Sequence, residues 1–360
     1  MNEVRQALFT IHKWIGLSAG IMAVVLGLSG TALVFRAEIE RWQARDWLAV
    51  EPSGARLPLD DLAEAAIAAW PAKRLTRFAF PESEGEAIQV VVQTPGARDL
   101  KSAELVGIYV NPYDASVLGS VERTRNWVWW LQDLHYALFL GTPGLKANGV
   151  FAAMLLLLAM TGPVLWWPGR RRLKYGLRIR RRPATALWRD LHAVVGLAGS
   201  AVLVLISLTA LYYAFRGPVT SLITASTGDA ALRPPPVAES ADPPAAYEAL
   251  YLAAAVALPG ARIDEMRPGR PGSAASVTFR LPGDRVVGRH RAWFDPVSTA
   301  TLRIDRHDAL PLGQRLLANM APWHFGTFGG TPTRALWFIA GLVPALLFGT
   351  GVWLWARRQR

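Results

Sequence analysis

Six histidines and no cysteine bound the metal and redox chemistry open to this 360-residue chain. Disulfides, thiolate-ligated clusters, cysteine-based zinc sites and covalent Cys-x-x-Cys-His haem attachment are excluded. Four of the histidines recur in register. His12-Lys-Trp-Ile-Gly16-Leu17 aligns with His192-Ala-Val-Val-Gly196-Leu197 at an offset of 180 residues, ungapped as far as Phe35-Arg36 over Phe215-Arg216. With His135 placed over His324, Gly141-Thr142-Pro143 meets Gly330-Thr331-Pro332, Thr161-Gly162 meets Thr350-Gly351, and Trp166 meets Trp355. Two imidazoles held at one depth can bind one haem iron axially, as in bis-histidine b-type cytochromes. The expectation is two haem b groups, an inner one on His12 and His192 and an outer one on His135 and His324, giving an electron path across a bilayer.

A single interfacial histidine beside Trp or Tyr is ordinarily an amphipathic anchor or a packing residue. Its recurrence in both copies, where the surrounding sequence has drifted, argues instead for a paired role. Metal binding without haem is the weaker option, because two imidazoles alone are a poor site for most divalent ions. Arg36 and Arg216 also match, as snorkelling anchors or, less strongly, haem-propionate contacts. Trp127, Trp129, Trp130, Trp166, Trp167, Trp353 and Trp355 read mostly as an interfacial belt. His290 and His307 have no matched partner and read as ordinary surface residues, although His307, between Asp305-Arg306 and Asp308, could lie near a substrate.

The elements that must position the four histidines are membrane spans. Mean hydropathy is +0.21 and 52% of residues are hydrophobic, high for a soluble protein. Four charge-free apolar runs, about Ile15 to Phe35, Val150 to Trp167, Val194 to Phe215 and Ala335 to Trp355, approach or reach the roughly 20 residues that cross a bilayer. The first is too long for a signal-peptide core, and its counterpart at residue 192 cannot be one. Arg170, Arg171, Arg172, Lys174, Arg178, Arg180, Arg181 and Arg182 fill the loop between the second and third runs, and Arg357, Arg358 and Arg360 close the chain. These place both segments, and hence the N-terminus, on the cytoplasmic side of a bacterial-type inner membrane. They also explain most of the net charge of +12 without nucleic acid as a partner.

Each half therefore reads as span, external domain, span, a parallel duplication about an axis along the membrane normal. The expected divisions are 1–36 for the first span, 37–130 for an external domain, and 131–168 for the second span with its histidine segment. Residues 169–190 form the basic loop, 191–216 the third span, 217–320 the second external domain, and 321–360 the fourth span and tail. Helical patterns at Leu59–Trp70 and Ala245–Ala257 precede alternating strands at Arg77–Pro81, Ala87–Gln93, Ile108–Asn111, Ser276–Leu281 and Ala292–Asp295. Val110-Asn-Pro-Tyr113 and Phe294-Asp-Pro-Val297 read as turns between strands, and Arg233–Pro244 as an extended linker. Without disulfides each external segment, about 90 to 100 residues, folds on its own core or against its twin. The fold class is mainly α, four transmembrane helices as a duplicated two-helix unit, each unit carrying an external α+β domain.

These motifs are similar to those of the PepSY-associated transmembrane family. They are the His-x-x-x-Gly-Leu span starts, Leu-His and Trp-His before Gly-Thr-Pro, the Asn-Pro-Tyr and Asp-Pro-Val turns, and the Thr-Gly-x-x-x-Trp span ends. Leu310-Pro-Leu-Gly-Gln-Arg-Leu-Leu into Trp323-His324-Phe-Gly is typical of it, and the resemblance covers nearly the whole chain. The resemblance implies PepSY-like external domains and di-haem reduction of periplasmic iron(III)-siderophores or similar chelates, releasing iron(II), with His12, His192, His135 and His324 as ligands. The chain departs in lacking a Gly-x-Gly-x-x-Gly dinucleotide motif, so the electron donor is another protein, quinol or a soluble reductant. The alternative is a non-enzymatic module whose external domains bind a peptide, peptidase or signalling partner. A transporter is weaker, because these runs carry no ionisable group beyond the histidines.

Overall fold

The apolar runs and alternating segments become twelve helices and eight strands in the computed structural model, which describes residues 3–95, 104–239, 243–270, 272–284 and 290–359. Arg360 and part of the Arg233–Pro244 linker lie outside the described residues. From the N-terminus, α1 (Glu3–Leu33) leads to the short α2 (Arg36–Gln43) and α3 (Arg45–Leu48), then α4 (Leu59–Ala69). Strands β1 (Arg74–Ala79), β2 (Ile88–Gln93), β3 (Val106–Val110) and β4 (Val117–Glu122) follow. Next come α5 (Trp127–Ala137), α6 (Thr142–Trp166), the single-turn α7 (Leu173–Gly176) and α8 (Ala184–Ala214). After α9 (Arg216–Thr227) and α10 (Tyr247–Ala257) lie β5 (Arg262–Arg267), β6 (Ala275–Arg280), β7 (His290–Phe294) and β8 (Thr301–Asp305), then α11 (Leu312–Phe325) and α12 (Thr331–Arg358).

One unit comprises Met1–Arg36, Leu131–Leu222 and Met320–Arg360. Its long helices α1, α6, α8 and α12 hold 31, 25, 31 and 28 residues, each long and apolar enough to cross a membrane. They continue past the charge-free runs, so Lys13, Lys146, Arg189, Asp190 and Arg334 lie within these helices, outside the apolar runs. Small residues let the helices approach closely. A Cβ on Gly27 of α1 would lie 2.5 Å from the Gly341 carbonyl oxygen of α12, and one on Gly149 of α6 would lie 2.6 Å from the Ala214 Cβ of α8. Lys146 Nζ donates to the Ala214 carbonyl and Arg334 Nη2 to the Val34 carbonyl at 2.8 Å. Carbonyls at a helix end have no intrahelical partner, and these cations satisfy one in each case.

The second unit, Ala37–Trp130 and Ile223–Asn319, settles how segments without disulfides make a core. They share one. All eight strands form a single antiparallel sheet in the order β4-β3-β2-β1-β5-β6-β7-β8. At its centre Phe78 pairs with Met266 and Ala79 with Glu265. Helices α4 and α10 bury Leu59, Leu62, Leu250 and Ala254 against Phe78, Val90, Ile108, Met266, Val277, Phe279 and Phe294. The two helices cap one another. Asp60 accepts from the Tyr247 and Glu248 amides at 2.9 and 3.0 Å, while Glu248 accepts from the Leu59 amide at 2.8 Å and pairs with Arg56 at 2.7 Å. Each carboxylate thus fills the orphan N–H groups of the facing helix.

Both expected turns form alike. Asn111 Oδ1 accepts from the Tyr113 amide at 3.0 Å, and Asp295 Oδ1 accepts from the Val297 and Ser298 amides at 3.0 and 2.8 Å. Ala115 and Thr299 then take left-handed φ of 59° and 58°. Sequence alternation starts β1 late, because a register shift between Leu75 and Arg77 breaks the period at the strand's beginning. His290 corrects the surface expectation. It is 4% exposed, pairs its Nε2 with Asp284 at 2.8 Å and stacks on Phe279.

Candidate functional site

The helical unit brings the four matched histidines together as two pairs. The rings of His12 on α1 and His192 on α8 have centroids 6.5 Å apart. Those of His135 on α5 and His324 on α11 are 6.3 Å apart. An imidazole nitrogen sits about 1.1 Å from its ring centroid and binds a first-row metal at about 2.0–2.1 Å, so two imidazoles facing one ion have centroids about 6.3 Å apart. Both pairs match that spacing.

Each ring is held by one hydroxyl. His12 Nδ1 lies 2.8 Å from Thr161 Oγ1, His192 Nδ1 2.8 Å from Thr350 Oγ1, His135 Nδ1 3.0 Å from Ser29 Oγ and His324 Nδ1 2.9 Å from Thr209 Oγ1. A hydroxyl has one proton, and all four spend it on the carbonyl four residues earlier in their own helix. Thr161 donates to Leu157 at 2.6 Å, Thr350 to Leu346 at 2.8 Å, Ser29 to Val25 at 2.7 Å and Thr209 to Leu205 at 2.9 Å. A hydroxyl that donates to its own helix accepts from the ring, which puts the ring proton on Nδ1. In that tautomer Nε2 is the nitrogen with the lone pair.

Depth follows from helix geometry. On α1, His12 and the outer-pair partner Ser29 are 17 residues apart, and on α8 so are His192 and Thr209, which at 1.5 Å per residue separates the two levels by about 25 Å. The outer histidines are not on the long helices. His135 lies in α5, whose end is fixed by Asn148 Nδ2 donating to the His135 and Tyr136 carbonyls at 2.8 and 3.0 Å. The chain reverses through Leu138, Phe139 and Gly141, all at positive φ, into α6. After α11 the chain turns through Gly326 and Gly330, both at φ 70°, where Thr333 Oγ1 ties back to the Gly326 carbonyl at 2.6 Å. The Gly-Thr-Pro breaks thus let a separate short helix reach back to α1 or α8.

Close approach also requires glycine. A Cβ on Gly30 would lie 2.9 Å from His135 Cε1, whereas one on Gly162 or Gly351 would sit 3.8 or 3.6 Å from His12 or His192 Cε1. Around His324 the neighbours are aromatic, with Tyr213 at 5.3 Å and Phe325 at 5.6 Å. Arg36 donates to Gln132, one turn before His135 on α5, and Arg216 lies 5.8 Å over the Tyr212 ring. Both sit near the outer level. His290 and His307 belong to the sheet unit, where the His307 amide donates to His290 Nδ1 at 3.1 Å and His307 Nε2 meets Asn319 at 3.0 Å. Among the described residues no three His, Cys, Asp or Glu side chains cluster as a metal site.

A family model described as the PepSY-associated TM region matches residues 9–358. The chain belongs to this family. It is a multi-pass membrane protein, mostly helical, with four candidate membrane-crossing helices and an antiparallel sheet unit. A search of curated proteins found no match. The match to the PepSY-associated TM region spans all four histidines and their four hydroxyl partners. Sequence reading found Thr161 and Thr350 as repeat matches but gave them no role, and it missed Ser29, Thr209 and Gly30. Ser29 and Thr209 share the 180-residue offset, a signal that lay inside the aligned segment.

Proposed function

We propose that this protein is a di-haem transmembrane electron carrier that reduces iron(III) chelates, such as iron(III)-siderophores, to release iron(II). The observation that carries the reading is the pairing of four imidazoles at 6.5 and 6.3 Å, each with its Nδ1 within hydrogen-bond distance of a hydroxyl. Two facing imidazoles with no carboxylate beside them would suit an iron whose other ligands come from a porphyrin, and fit a bare divalent cation poorly. Haem b would supply reversible one-electron chemistry at both levels. His12 and His192 would hold the inner group, and His135 and His324 the outer one. The hydroxyls orient the rings, the apolar helices exclude water, and Arg36 and Arg216 are candidates to meet propionates at the outer level.

The reading includes a parallel duplication. It is supported by the matched histidines, hydroxyls and turns, by the reciprocal caps of α4 and α10, and by the like roles of Lys146 and Arg334. Basic residues between α6 and α8 and after α12 favour cytoplasmic termini in a bacterial-type inner membrane. The donor enters at the inner pair and the chelate takes electrons at the outer. Iron(II) binds hard oxygen ligands more weakly than iron(III), so one electron frees the metal.

The test is optical. The full chain, purified from haem-supplied cells, is expected to bind two b-type haems and to show an α-band in its dithionite-reduced minus oxidised spectrum. His192→Ala is expected to remove one signal and His324→Ala the other. A colourless protein refutes the reading and leaves the sheet unit as a membrane-anchored binding module. Loss of both signals from each variant refutes the pairing.

A further inference from the structure

Hydroxyl side chains that accept from an imidazole N–H do more than hold a ring. We infer that Thr161, Thr350, Ser29 and Thr209 are positioning residues that fix the Nδ1–H tautomer of the paired histidines and hold down the reduction potential of the iron those histidines bind. The inference rests on the di-haem reading for the iron and on hydrogen-bond geometry alone for the tautomer.

The geometry supports one tautomer. Each hydroxyl lies within hydrogen-bond distance of the carbonyl four residues earlier on its helix, and one that donates there accepts from the ring. A proton on Nε2 instead would strand these acceptors and remove the ligand lone pair.

The electronic consequence follows from the direction of the bond. An acceptor on Nδ1–H draws that proton away, gives the ring partial imidazolate character and makes Nε2 a stronger donor. A stronger donor favours the ferric state, with its higher charge, over the ferrous. Removing the acceptor therefore raises the one-electron potential. Partners of this kind change metal affinity by roughly 10- to 100-fold, and the lower end, about tenfold in the ferric/ferrous ratio, corresponds to about 59 mV. Thr161 and Thr350 act on the inner pair, and Ser29 and Thr209 on the outer.

Valine replaces threonine with nearly the same shape and no hydroxyl. Spectroelectrochemical titration of the full chain is expected to show Thr161→Val and Thr350→Val raising the same one of two potentials, by about 59 mV each, the equivalent of tenfold in the ferric/ferrous ratio. Ser29→Ala and Thr209→Val are expected to raise the other. Thr161→Ser, Thr350→Ser and Thr209→Ser restore the wild-type values, because the acceptor returns without the methyl. Unchanged potentials in the valine variants overturn the inference, as do serine variants shifted as far as valine, or Thr161 and Thr350 variants acting on different haems. If a valine variant loses a haem, retention in the serine variant supports the hydroxyl role and loss in both overturns it. A wild-type protein without haem fails the di-haem reading instead. The tautomer is then read from nitrogen chemical shifts of the histidine-labelled full chain, where Nε2–H at the four positions overturns it.

Discussion

Adding one methyl group at Gly30 tests whether the outer pair depends on a close approach between α5 and α1. A Cβ there would stand 2.9 Å from His135 Cε1 and 3.5 Å from His135 Nδ1, against about 3.5–4.0 Å for carbon atoms in comfortable contact. The ring must retreat by about 0.6–1.1 Å to clear the first contact. A shift of that size disturbs both the 3.0 Å contact of Nδ1 with Ser29 and the 6.3 Å spacing to His324.

Two opposing effects act on overall stability. Alanine in place of glycine inside a helix gains about 0.8–1.0 kcal/mol, and overpacking costs about 1–3 kcal/mol. Gly30→Ala is therefore expected to cost at most about 2 kcal/mol and to leave the fold intact, while selectively disturbing the outer site. Ala210, the counterpart of Gly30 on α8, carries a Cβ natively beside Thr209. At the inner level the added methyl would meet ordinary contacts of 3.8 Å at Gly162 and 3.6 Å at Gly351, so Gly162→Ala and Gly351→Ala are the controls. The assay is haem stoichiometry with resolved α-bands and midpoint potentials. Gly30→Ala should shift or lose the outer signal alone, and the two controls should match wild type. An outer signal unchanged in Gly30→Ala, with both haems bound, refutes the steric argument.

Three further outcomes concern the sheet unit. Phe78, fully buried at the central strand pair, should cost about 3–5 kcal/mol when changed to alanine. Hydrogen exchange of β1 and β5 amides would then accelerate at least about a hundredfold, and an effect below tenfold would deny the shared core. Asp60→Ala leaves the Tyr247 and Glu248 amides without their acceptor at a cost of about 0.5–2 kcal/mol, read as faster exchange at the start of α10. The Ser298 and Val297 amides hold the Asp295 carboxyl below its usual range. Its contribution is therefore full above the unfolded value, near 3.9, and fades as pH falls through the lower folded value. Asp295→Asn should keep the turn, as Asn111 does natively, and abolish that acid-dependent loss of protection. Equal acid sensitivity in wild type and variant would refute the assignment.

Much of the architecture was legible because its signals are long or repeated. Spans of charge-free residues declare themselves by length, and α4 was read to within a residue because its apolar spacing is regular. The junction of β1 with β5 was not legible. Two strands about 190 residues apart carry no local mark of pairing, and β1 looks shorter than it is because the bulge near Thr76 breaks its alternation. His290 misled because a histidine between arginines reads as surface, whereas Asp284 and the His307 amide satisfy both ring nitrogens and let it be buried. Ser29 and Thr209 were invisible for another reason. A lone hydroxyl in an apolar helix ordinarily satisfies itself on the backbone, and only the position of the facing ring distinguishes these two.

The partition of contacts between the halves leads to one more prediction. Every histidine–hydroxyl bond stays within its own half of the chain, His12 to Thr161 and His135 to Ser29, His192 to Thr350 and His324 to Thr209. Every imidazole pair crosses between halves, as do the cation caps on Val34 and Ala214 and the mutual caps of α4 and α10. Each half can therefore orient its own rings, but it holds one imidazole per level and leaves β1 or β5 as an open sheet edge. Cutting the chain in the loop after Ile179 and co-expressing 1–179 with 180–360 should restore both bis-histidine spectra and a one-to-one complex. Residues 1–179 alone should be colourless or should associate with a second copy, setting His12 against His12. A monomeric first half carrying two bis-histidine haems would show that the pairs do not cross the bundle.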